Sequence, residues 1–146
     1  MKKTATAVWH GSGKEGSGKL GTQSKALDHV PYSWKTRFTE EKGTNPEELI
    51  AAAHAGCFSM KLSFVLGEAG HVPEVIRTSC AISMEGGTIT ESHLDVHAKV
   101  SGVTRDQFEN YAEKAKAECP VSKALNFKIT LTAVLMDEKQ EETTTK

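Results

Sequence analysis

The chain has no excess of either charge: 18 Lys plus Arg stand against 19 Asp plus Glu in 146 residues, a formal net charge of -1. A balance this even encodes no bulk attraction to nucleic acid or to an anionic membrane surface, so neither is expected as a partner. Cysteine is scarce. Cys57, Cys80 and Cys119 are an odd number at wide spacings, which excludes the disulfide framework of a secreted mini-protein and a zinc site built from close pairs. No export signal is expected either, because the basic opening Lys2-Lys3 leads into Val8-Trp9-His10-Gly11 rather than an apolar run. The longest apolar stretch, around Ile50 to Leu66, is interrupted by His54 and Lys61 and reads as too polar to span a membrane. A soluble, cytoplasmic protein is expected. The length suits a single domain over residues 1–136, able to bury a core without disulfides or metal. The polar run 137–146 has no apolar residue to pack and is expected to be disordered.

What is present is a clear set of local signals. Alternating runs at Thr4 to His10, Leu20 to Leu27 and Tyr32 to Phe38 predict three strands of an antiparallel meander, with Arg37 near the end of the third. Thr44-Asn45-Pro46-Glu47-Glu48 is a helix start: Asn45 suits the N-cap, Pro46 the first helical position, and Glu48 a capping box. That helix should run to Ala69 and stop at Gly70. Its apolar residues cover nearly the whole circumference, the pattern of a central helix. At 1.5 Å per residue it is a rod of about 35 Å, long enough to need a second chain to cover it. Val75 to Glu85 and Thr88 to Val100 flank Gly86-Gly87 and predict a hairpin. A second helix should start at Thr104 with a capping box to Gln107 and end near Glu118. Pro120 then breaks the chain or opens a short helix through Leu125 with Cys119 as its N-cap, and Phe127 to Met136 reads as a last strand. The order implies an α+β fold, antiparallel sheet wrapped around long central helices.

Two cysteines stand in contexts that favour chemistry over packing. Cys57 falls in the middle of the long helix, beyond reach of that helix's own dipole, and burial would raise its pKa, so a reactive Cys57 demands a nearby cation. Arg37 is the best source, permanently charged and many-armed, and Glu47 can hold its guanidinium bidentately. Glu47 and Cys57 are ten residues apart, about 15 Å by rise, and cannot touch. Taken alone, Arg37 and Glu47 are equally readable as solvated charges of little energetic weight. Lys61, one turn after Cys57, is a rival cation, and His54, three residues before it, is either a packed core residue or the base of a Cys-His pair. Cys119 in Glu118-Cys119-Pro120-Val121-Ser122 has its own reason to react, since a thiol at an N-cap faces unpaired N–H groups; on physics alone it could be the first attacker. Cys80, among apolar strand residues, reads as structural. His93 and His97 would lie about 13 Å apart in a strand, which does not make a metal pair.

The segments Gly43-Thr44-Asn45-Pro46-Glu47-Glu48-Leu49, Ala53-His54-Ala55-Gly56-Cys57-Phe58-Ser59-Met60 and Lys116-Ala117-Glu118-Cys119-Pro120-Val121-Ser122, with Pro31-Tyr32 and Thr36-Arg37-Phe38, resemble the OsmC/Ohr family of peroxidases, and its OsmC branch more closely. The resemblance implies intertwined homodimers with two active sites at the subunit interface. It implies Cys57 as the peroxidatic thiol and Cys119 as the resolving one, closing an intramolecular disulfide, with Arg37 activating Cys57 and Glu47 orienting Arg37. Organic hydroperoxides would be the substrate in preference to hydrogen peroxide. A dithiol would be the reductant, lipoylated proteins in the related Ohr branch, and no cofactor or metal is implied. Gly56 departs from the alanine common before that cysteine, at a cost of about 1 kcal/mol in a helix; Lys61 and Cys80 lie outside the motif. Two other classes remain: a non-catalytic stress-related dimer or thiol sensor, and a hydrolase using Cys57 with His54.

Overall fold

A computed structural model, which describes residues 1–137, gives the element order β1 (Ala5–His10), β2 (Ser17–Thr22), β3 (Val30–Tyr32), one 3-10 turn (Lys35–Arg37), α1 (Pro46–Glu68), β4 (Val75–Glu85), β5 (Thr88–Lys99), α2 (Arg105–Glu118), α3 (Pro120–Ala124) and β6 (Lys128–Leu135). The expected tail lies outside the described residues, apart from Asp137. The chain forms two compact units, Met1–Leu49 and a second beginning at Ile50.

In the first unit β1, β2 and β3 form an antiparallel sheet in that order. The second strand lies earlier than the alternation at Leu20 to Leu27 predicts, and glycine is the reason. Gly18 stands opposite both Trp9 and Tyr32, whose rings lie 5.3 Å apart; a Cβ there would come within 2.6 Å of the Tyr32 ring. A sequence reading penalises glycine in a strand, but here only glycine lets the two aromatic rings close over the backbone. The third strand is shorter than expected and does not reach Arg37. Ser33 and Thr36 bond reciprocally, each side-chain oxygen accepting from the other's backbone N–H at 3.1 and 3.2 Å, and turn the chain into the 3-10 segment. Arg37 therefore ends a turn rather than a strand.

The start of α1 is close to expectation. The Glu48 N–H donates to Asn45 Oδ1 at 2.8 Å. The Glu48 carboxylate, however, accepts from the Thr44 hydroxyl at 2.9 Å rather than reaching back to the cap. Its end follows the expectation at Gly70, where the His71 N–H returns to the Leu66 carbonyl at 2.8 Å. By length and composition α1 is apolar enough to cross a membrane, contrary to the sequence reading. In the second unit its apolar residues instead serve a core. His54, Phe58, Leu62, Val65 and Leu66 are buried, and all but His54 join a cluster with Leu94, Val96 and Ala98 of β5 and Phe108, Ala112 and Ala115 of α2. The other face is bare in a single chain: Met60 and Phe64 are 65% and 63% exposed.

The hairpin of β4 and β5 matches expectation, pairing Val75 with Lys99 through to Glu85 with Thr88. Its turn places Gly86 and Gly87 at φ of 57° and 79°, the left-handed pair that a two-residue hairpin requires. The Thr104 and Gln107 capping box of α2 is formed in both directions. One pairing differs from a purely antiparallel sheet: β6 returns after α2 and α3 to lie parallel to β5. A crossover through helices reverses the chain once more than a hairpin does, and so delivers a parallel neighbour.

Two alanine substitutions should move stability in opposite directions in chemical denaturation. Gly56→Ala, where the added methyl meets nothing within 4 Å, should stabilise by about 0.5–1 kcal/mol. Gly87→Ala should destabilise by about 1–2 kcal/mol, since the left-handed conformation penalises any Cβ.

Candidate active site

In the first unit, Arg37 and Glu47 are brought together by the turn that ends the short third strand. The Thr36 hydroxyl donates to the Thr44 carbonyl at 2.9 Å, and the Asn45 side-chain amide donates to the Thr36 carbonyl at 3.4 Å. These bonds fasten the 3-10 turn to the head of α1. Arg37 Nε then donates to Glu47 Oε2 at 3.1 Å, with side chains 33% and 15% exposed. The expected bidentate fork is not formed: among the described residues Glu47 takes only the Nε edge. The far edge of the guanidinium, with its remaining donors, is left for another acceptor.

In the second unit, Cys57 and Cys119 come together although 62 positions separate them (119 − 57). Both are free thiols, Cys57 half-buried and Cys119 fully buried. Burial pushes the Cys57 thiol up, the nearby Val121 backbone N–H pulls it down, and the neighbouring Cys119 thiol pushes it up. The sequence reading ruled out help from the dipole of α1, and the help comes instead from α3. Cys119 is the residue before that helix and Pro120 its first position. Proline lacks an N–H, so the first free donor after the cysteine is Val121. The Cys119 side chain itself makes no capping bond, which leaves its sulfur available to Cys57.

The rival groups are occupied elsewhere. Lys61 Nζ lies 3.5 Å from the Glu118 carboxylate. His54 does not pair with Cys57: its Nδ1 is 2.6 Å from Ser92 Oγ and its Nε2 2.8 Å from Ser122 Oγ. That removes the base a Cys-His hydrolase would need, because neither ring nitrogen is free to take a proton from Cys57. Burial lowers the basicity of His54 and keeps it neutral. Cys80 is half-buried as a strand residue, but its sulfur is not in purely apolar company, standing 3.1 Å from Ser92 Oγ; burial raises its pKa and that hydroxyl opposes the rise. His93 bonds Thr130 Oγ1 at 2.6 Å and His97 lies 3.1 Å from Asp95. Among the described residues no group of three His, Cys, Asp or Glu is placed to hold a metal ion.

Sequence reasoning passed over Ser92 and Ser122. For Ser92 the signal was available: in the inward-facing set Ser92, Leu94, Val96 and Ala98 of β5, one polar residue sits among apolar ones, and a buried hydroxyl implies a partner.

A family model described as OsmC-like protein matches residues 39–134. The chain is 47% identical over 135 residues to the peroxiredoxin OsmC of Escherichia coli strain K12, covering 90% of this chain and 94% of that one. It is 33% identical over 130 residues to organic hydroperoxide resistance protein-like 1 of Staphylococcus saprophyticus, covering 83% and 89%. Among solved structures, an organic hydroperoxide resistance protein from Elizabethkingia anophelis shares the fold at a TM-score of 0.69, with 23% identity, covering 93% of this chain and 99% of that one. An OsmC-like protein from Vibrio cholerae matches at a TM-score of 0.70 with 12% identity, covering 92% and 99%. A family match across most of the described chain, with close relatives spanning nearly its full length, means that the chain belongs to the OsmC-like family.

Proposed function

We propose that the protein is a thiol-dependent peroxidase that reduces organic hydroperoxides. The observation that carries the reading is the pair of free, neighbouring thiols, Cys57 and Cys119, in a chain whose relatives are named for peroxide reduction and organic hydroperoxide resistance. The Cys57 thiolate attacks one oxygen of the hydroperoxide, the O–O bond breaks, and the alkoxide leaves as an alcohol after taking a proton; Cys57 becomes a sulfenic acid. The Cys119 sulfur then attacks the Cys57 sulfur, the S–O bond breaks, and the thiol proton leaves with the hydroxyl as water, closing the disulfide. An external dithiol, a lipoylated protein in one form of the proposal, accepts the oxidation and restores both thiols.

The electrostatics of the thiol pair explain why a cation is required. Burial is the main influence that holds Cys57 protonated, with the Val121 backbone N–H against it. A single neutral donor does not offset desolvation of a charge, so a permanent cation must act at the sulfur. Arg37 is assigned that role, with Glu47 fixing the guanidinium by its Nε edge. We further propose that the protein works as a homodimer in the cytoplasm. Met60 and Phe64 on α1 are large apolar side chains, mostly exposed in one chain, and an apolar face of this kind is covered in use.

The alternative is a non-catalytic stress-related dimer or a thiol sensor; the raised Cys57 pKa suits a thiol that only packs, and stoichiometry separates a sensor from a peroxidase. With cumene hydroperoxide and excess dithiol, the peroxidase should turn over many times, whereas a sensor consumes about one equivalent per chain. Cys57→Ser should abolish peroxide consumption. Cys119→Ser should still permit one round of sulfenic acid formation, detectable by trapping; loss of that first oxidation would reverse the two roles. Arg37→Ala should slow alkylation of Cys57 at pH 7 and move the rise of rate with pH upward, because the thiolate fraction then appears only at higher pH. An unchanged pH profile would remove Arg37 from the mechanism.

A further inference from the structure

The mechanism above does not use the most deeply buried polar group near the thiols. His54 is fully buried on α1, three residues before Cys57. Both its ring nitrogens are bonded, Nδ1 to Ser92 of β5 at 2.6 Å and Nε2 to Ser122 of α3 at 2.8 Å. Ser92 is itself fully buried and Ser122 nearly so, and Ser92 Oγ also meets Cys80 Sγ at 3.1 Å. A line of polar groups, Cys80, Ser92, His54 and Ser122, therefore runs from the sheet past α1 into α3. Placing such groups in a core is costly unless each is satisfied, and once satisfied they fix one arrangement of the elements that carry them. A neutral imidazole donates from one nitrogen and accepts at the other, and a serine hydroxyl rotates to answer either.

The far end of that line is the point of interest. α3 has five residues, Pro120–Ala124, too few to hold a helical shape or a position unaided. It carries Val121, whose N–H lies near enough to the Cys57 sulfur to lower its pKa, and it follows directly on Cys119. Ser122 is its third residue, and the imidazole is the side chain that grips it. We propose that His54 is a positioning residue for disulfide closure: anchored on Ser92, it holds α3 against α1 so that Cys119 meets the oxidised sulfur of Cys57. This rests on the two-cysteine reading, and assigns His54 no contact with the peroxide and no proton transfer.

Rapid mixing of the protein with one equivalent of cumene hydroperoxide separates the steps, with sulfenic acid followed by a trapping reagent and closure by loss of the second thiol, that of Cys119. Ser122→Ala and His54→Leu should slow closure about tenfold or more, since a displacement near 1 Å costs that much in a pre-organised step. Sulfenic acid should then become trappable in a chain that retains both cysteines, while the first oxidation changes far less. His54→Gln, whose amide keeps a polar head within reach of Ser122, should recover most of the closure rate, a rescue that mere loss of core packing would not give. Closure at the unaltered rate in Ser122→Ala and His54→Leu overturns the proposal, and so does an equal slowing of both steps. If the unaltered protein itself closes no Cys57–Cys119 disulfide, the two-cysteine reading fails first and takes this inference with it.

Discussion

The structure depends on one constraint: two thiols from distant parts of the chain are held side by side, Cys57 half-buried and Cys119 fully buried. Such a pair resists ionisation, since desolvation penalises the first thiolate and repulsion penalises a second one beside it. The surroundings can be understood as answers to that resistance. Cys119 lies at the junction of α2 and α3, where its own N–H still closes the last turn of α2 onto Ala115 at 2.9 Å. The next free N–H, that of Val121, lies near Cys57 and favours its thiolate. The bend between two helices thus supplies both a sulfur and a donor to the same atom, and Pro120 keeps the intervening position from competing.

The supporting contacts differ in what they contribute. The Lys61 to Glu118 pair is 30% and 41% exposed; such pairs contribute between nothing and about 1 kcal/mol, so it removes a rival cation more than it steadies the fold. The Arg37 to Glu47 bond matters through geometry as well, because it fixes a guanidinium by one edge and, among the described residues, leaves the other edge open. The buried line through Ser92, His54 and Ser122 is of another kind: shielded from solvent, it has few alternatives to its present arrangement.

The helices and the β4–β5 hairpin were legible from sequence because their signals are local. Asn45 and Pro46 start α1, Gly86 and Gly87 turn the hairpin, and Thr104 with Gln107 starts α2; each acts within a few residues of itself. The first unit was less legible because its determinants cross between strands. Gly18 looks like a strand breaker until Trp9 and Tyr32 are seen over it, and the reciprocal bonds of Ser33 and Thr36 end a strand that the alternation would have continued. The parallel placement of β6 is equally nonlocal. The candidate site divides in the same way. Cys57, Cys119, Arg37 and Glu47 stood out by residue type and setting, whereas the Val121 N–H is a backbone group and Ser122 has meaning only through an imidazole 68 residues away.

The central claim is that Cys57 and Cys119 of one chain form the redox couple and that Cys80 stands outside it. Peptide mapping by mass spectrometry after one equivalent of organic hydroperoxide tests this most directly. The account predicts a single linkage, Cys57 to Cys119 within one chain, two protons lighter than the reduced pair, with Cys80 still free to alkylate. A linkage through Cys80, a disulfide between chains, or three alkylatable thiols after the peroxide has been consumed would contradict it.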